Sequence, residues 1–143
     1  MFNFTHKKKS IKLSVAPLIS RNPNAKFRVT KGGKISAVLL EFGDDYLPGS
    51  EDEFAYREYF ARCVIAWNLS FLKDDDRQSK LVGAASAYEP AVRAEFIADL
   101  LMLIDRKLLL FSDDVRCVHD YELSFSAKNV SLSVASYPFR KKP

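Results

Sequence analysis

The chain has 143 residues, 48% hydrophobic and 28% charged, with only 5 glycines. This composition fits one domain with a sizeable core and excludes intrinsic disorder. Two cysteines exclude a disulfide scaffold, and the net charge of +4 is expected to sit at the ends, with a nearly neutral stretch between.

The basic ends are Lys7, Lys8, Lys9 and Lys12 on one side and Arg140, Lys141 and Lys142 on the other. Residues 1–10 are read as a basic tail, 11–137 as a single domain and 138–143 as a second basic tail. No apolar run approaches the length of about 18 residues that a membrane span needs. The most apolar stretch, 96–111, contains Asp99, Asp105, Arg106 and Lys107. The expectation is a cytoplasmic protein without a membrane partner.

Ile11, Leu13 and Val15 alternate with Lys12, Ser14 and Ala16, the period of a half-buried strand. Residues 27–30 and 35–42 flank Lys31-Gly32-Gly33-Lys34, where a Gly-Gly loop supplies the positive φ that a tight hairpin requires. The hairpin would carry Phe27, Val29, Val38, Leu40 and Phe42 on its core face. Ser50 with Glu53 three residues later has the spacing of a capping box, which predicts a helix over 50–69. Its apolar stripe is Tyr56, Phe60, Cys63, Val64 and Trp67, with Glu58 and Arg62 set to pair one turn apart.

Lys73-Asp74-Asp75-Asp76-Arg77 reads as a charged loop, and a short helix over 79–87 is interrupted by Gly83. Pro90 suits the first turn of a helix over 90–110. That helix is apolar on more than one face, so it is expected to be the spine of the domain or a homo-oligomer contact. Val115, Cys117, His119, Tyr121, Leu123 and Phe125 then alternate with Arg116, Val118, Asp120, Glu122 and Ser124, and Ser126-Ala127-Lys128-Asn129 turns the chain into Val130, Leu132 and Val134. The whole is an α+β fold: an antiparallel sheet from N- and C-terminal hairpins packed on two main helices.

Chemistry is sparse. Cys63 and Cys117 fall in apolar stripes, which raise thiol pKa and argue against a nucleophile. Cys117 and His119 lack the further ligands of a metal site, and Asp74–Asp76 lacks the alternation of a calcium loop. Gly32-Gly33 is expected to lead into a strand rather than the helix start that a phosphate loop requires. No metal, no cofactor and no enzymatic activity are expected.

The order of elements, a hairpin, an acidic helix start, a helix reaching Trp67, a charged loop and a longer apolar helix, resembles phage tail assembly chaperones. The match runs over 35–110, anchored on Phe54, Val64, Trp67, Asp74-Asp75-Asp76 and 96–104, and the β-rich stretch 115–137 lies beyond it. More loosely, the chain is similar to small phage or mobile-element accessory proteins, including anti-CRISPR inhibitors. That likeness implies a non-catalytic chain that acts by binding a protein partner. Tyr46, Tyr88 and Tyr137, the aromatics outside the core stripes, are the candidate contacts. The alternative is a nucleic-acid-associated protein using Lys7, Lys8, Lys9, Arg28, Lys31 and Lys34 in its tail and hairpin tip.

Overall fold

Residues 35–42 satisfy two periods at once, and the helical one prevails. The computed structural model describes residues 34–127 and 129–139, and in it Ile35–Gly43 is a helix, α1. Ile35, Val38, Leu39 and Phe42 recur at helical spacing and are all buried. The expected second strand of the N-terminal hairpin is therefore corrected to a helix. Its first strand, 27–30, and most of its turn lie outside the described residues. Gly43 ends α1 against the next helix: a Cβ there would meet Leu47 Cδ1 at 2.9 Å and Cys63 Sγ at 3.0 Å.

The second helix, α2 (Glu53–Leu69), starts where the sequence indicates, but its cap is Asp52 rather than Ser50. The Asp52 carboxylate accepts from the Ala55 N–H at 3.1 Å. All five residues of the expected stripe are buried, and so are Ala55, Tyr59, Arg62 and Ala66. The enclosed helix is thus α2. It packs on α1, on α3 (Asp74–Ala85), on α4 (Pro90–Leu110) and on the strand β1 (Arg116–Phe125).

The charged loop is corrected too: Asp74, Asp75 and Asp76 form the first turn of α3, where carboxylates suit the positive end of the macrodipole. Gly83 lies inside α3 facing open space, so it costs propensity without breaking the helix. Pro90 opens α4 as expected.

None of the first three helices carries a basic residue in its last turn. Each is instead closed by an arginine from a later element. Arg106 of α4 donates to Phe42 O at 2.8 Å and Glu41 O at 3.3 Å, at the end of α1. Arg77 of α3 donates to Leu69 O, Ser70 O and Leu72 O at 2.9–3.1 Å, at the end of α2. Arg93 of α4 donates to Ala85 O and Tyr88 O after α3. Orphan carbonyls at helix ends need such donors, and here the donors also fix how successive helices meet.

β1 pairs antiparallel with β2 (Val130–Pro138), and the chain turns between Ser126 and Asn129 as expected. A bulge between Val118 and Asp120 puts both Cys117 and Val118 on the buried side and turns His119 out to solvent. Below the bulge Tyr121 and Phe125 meet Phe60 and Tyr56 edge-on. The far edge of β1 is closed by α2: Trp67 Nε1 donates to Arg116 O at 2.7 Å, and the Asn68 amide both donates to Val118 O and accepts from Val118 N. β2 runs through Pro138, and Phe139 stacks on Phe71 at 5.1 Å, so the hairpin reaches into the segment expected to be a tail. The described residues are thus an α+β unit of helices followed by one hairpin, and no helix among them is long and apolar enough to cross a membrane.

Candidate functional site

The buried ionisable groups fall into a pair, Arg62 with Asp99, and cations held by backbone carbonyls, Arg106 and Lys107. Arg62 does not pair with Glu58; its Nη1 lies 2.5 Å from Asp99 Oδ2, with both side chains buried. The Tyr46 hydroxyl donates to the same oxygen at 3.0 Å, and the Arg62 guanidinium sits between the rings of Tyr59 and Phe96. Burial pushes the Asp99 carboxyl up to about 6 against the opposing pull of Arg62 and Tyr46. Lys107 is buried as well. Its ammonium lies 4.5 Å from the ring centres of Trp67 and Phe71 and donates to Asp114 O at 3.0 Å. Burial brings it down to about 8.

The expected chemical candidates do not converge. Cys63 and Cys117 are free and buried, and burial pushes both thiols up. His119 is exposed at the bulge, with its ring edge toward Tyr137. Among the described residues no group of three or more His, Cys, Asp or Glu could hold a metal ion.

The tyrosines separate. Tyr46 belongs to the core, buried by its ring contact with Tyr59 and its bond to Asp99, so it offers no outer surface. Tyr88 is half-buried against Phe96. Tyr137 is 52% exposed on β2. Of the basic candidates, Lys34 is exposed just before α1, while Lys7, Lys8, Lys9, Arg28 and Lys31 lie outside the described residues.

The surface itself is the feature the sequence reading missed. All 18 acidic residues fall between Glu41 and Glu122, whereas residues 1–33 contain eight cations and no acid. The near-neutral balance between the basic ends is therefore uneven: 34–139 holds eleven cations against all 18 acids. Folding sharpens the bias: Arg62, Arg106 and Lys107 are buried, and Arg77, Arg93 and Arg116 are occupied at carbonyls or at Asp114. Eleven carboxylates are exposed among the described residues, against four cations, Lys34, Arg57, Lys73 and Lys80.

Within this acidic exterior α4 presents an apolar strip. Leu101 is 47% and Leu108 43% exposed, seven residues apart and hence on one face, with Ala94 and Ala98 continuing the row. Leu109 and Val115 are exposed at its C-terminal end, and the exposed Asp105, four residues after Leu101 and three before Leu108, puts a carboxylate in the row between the two leucines. The signal for this strip was legible in the sequence as the excess width of apolar residues on α4. No family model, curated protein or solved structure matches this chain.

Proposed function

We propose that the chain is a non-catalytic protein-interaction module of the phage or mobile-element accessory type, an assembly factor or an inhibitor such as an anti-CRISPR protein. The observation that carries this reading is the exposed apolar strip of α4 set in a surface of carboxylates. Solvent-facing leucines at one helical face mark an interaction site more often than a catalytic one. The surrounding charge selects a partner whose own apolar patch is rimmed by Lys or Arg, as at the nucleic-acid groove of a processing enzyme. An inhibitor of that kind would act by occupying the groove. Tyr137, and Tyr88 with less of its ring available, are further contacts.

The test is affinity capture from nuclease-treated host lysate with the full chain and with the Leu101→Lys, Leu108→Lys variant. Recovery of a protein by the natural chain and its loss with the variant supports the reading. Equal recovery by both, or recovery of none, contradicts it.

The second reading, a nucleic-acid-associated protein, draws on the eight cations and absent acids of residues 1–33, among them Lys7, Lys8, Lys9, Arg28 and Lys31. Binding to DNA or RNA that weakens steeply with salt would favour it.

A further inference from the structure

The two edges of the hairpin are treated differently. The outward N–H and C=O groups of β1 at Arg116, Val118 and Leu123 meet side chains of Trp67, Asn68 and Arg57. On β2 the bond from Ser126 N to Asn129 O and the bond from Phe139 N to Val115 O fix the alternation of the ladder. It follows that Val130, Leu132, Val134 and Ser136 turn their backbone groups away from β1. Among the described residues no strand lies beyond β2 and nothing hydrogen-bonds to these groups. Natural sheets blunt such an edge with charge, proline or a bulge. Here the stretch 129–137 holds no charged residue, the bulge is on the other strand, and proline comes only at Pro138.

We propose that this edge pairs with the same edge of a second copy of the chain, antiparallel and centred on Ser133. In that register Leu132 faces the second copy's Val134 and Val130 faces the second copy's Ser136. Every outward N–H and C=O between Val130 and Ser136 then has a partner, and Pro138, which has no N–H to give, falls just outside the paired stretch. Charge favours this contact: most of the exterior of the described residues is rich in carboxylates that would repel a second copy, whereas the β2 edge is uncharged on both sides. The contact is isologous, so it closes as a dimer with a continuous sheet of four strands. The inference does not depend on the α4 strip, which the pairing leaves uncovered by strands.

The test is the solution mass of the full chain by light scattering, together with oxidation of Ser133→Cys and Ser131→Cys variants. At the dyad position 133 faces itself with Cα atoms about 4.5 Å apart, within disulfide range. Position 131 faces 135 of the second copy. The expected result is a dimer, a covalent dimer from Ser133→Cys and none from Ser131→Cys. Ser133→Asp places two carboxylates across the dyad and weakens the dimer roughly tenfold or more, with an unchanged far-UV spectrum. A monomeric chain whose Ser133→Cys variant does not cross-link overturns the proposal. That is the outcome if residues 11–16 occupy the edge instead, where Leu13-Ser14-Val15-Ala16 repeats Leu132-Ser133-Val134-Ala135. A dimer indifferent to Ser133→Asp overturns it as well, since it must use another face.

Discussion

Arg62, Asp99 and Lys107 set the behaviour of the interior, because a buried charge is tolerable only with its partners in place. Asp99→Asn removes the carboxylate that pairs with the Arg62 guanidinium between Tyr59 and Phe96. Urea unfolding is expected to show a loss of about 3–5 kcal/mol. Replacing both partners by apolar residues, Arg62→Met with Asp99→Leu, is expected to cost much less, and an equal cost would show that the pair is not what those side chains contribute. Lys107 predicts a pH effect. Its ordinary value is 10.5 and burial lowers it to about 8 in the folded chain. Between those values the unfolded chain holds a proton that the folded one has released. The Lys107 contribution is therefore fully present above 10.5 and is lost as pH falls through about 8. Relative to Lys107→Met, the natural chain should gain stability as pH rises across this window. Unfolding midpoints that differ by a constant amount throughout would contradict the assignment.

At the scale of elements, the molecule is tied together by side chains that reach from one element to the open end or edge of another. Arg77→Met removes the donor to the three carbonyls at the end of α2 and is expected to cost about 2 kcal/mol, whereas Arg57→Met, which loses an exposed pair with Glu53 and a long, 3.5 Å bond to Leu123 O, costs about 1 or less. Asn68→Ala strips the partners of both backbone groups of Val118. Faster hydrogen exchange at the Val118 amide than at Ser124, which faces Ser131 within the ladder, is the expected readout. These ties also explain what could be read from the sequence. α2 and α4 were legible because each has an end signal, acids at one and Pro90 at the other, and a long apolar period. α1 was not, because Val38, Leu40 and Phe42 fit a strand while Ile35, Val38, Leu39 and Phe42 fit a helix, and only packing on α2 and β2 chooses. α3 buries little more than Leu81 and Ala85, so its period is faint and its stability comes from acids at its start and arginines at both ends. The bulge leaves no mark in composition, which is why His119 was placed on the wrong side. The Arg62–Asp99 pair joins residues on different helices, beyond the reach of a local pattern.

For the whole molecule, the disposition of charge matters more than its sum. A net charge of +4 conceals a basic N-terminal stretch and an acidic remainder, and among the described residues folding draws cations inward until the exterior is dominated by carboxylates. In the proposed role, long-range attraction from such a surface would speed association with a basic partner, and the apolar strip of α4 would supply the contact that holds it. α4 contributes to both features: Arg93, Arg106 and Lys107 turn inward while Leu101, Asp105 and Leu108 face out. The most direct measurement is the affinity of the captured protein for the full chain across a salt series, repeated with the Leu101→Lys, Leu108→Lys variant. The account predicts an affinity that falls steadily as salt rises and is reduced roughly tenfold or more by the variant at every salt concentration. An affinity unchanged by salt and by the variant would contradict it.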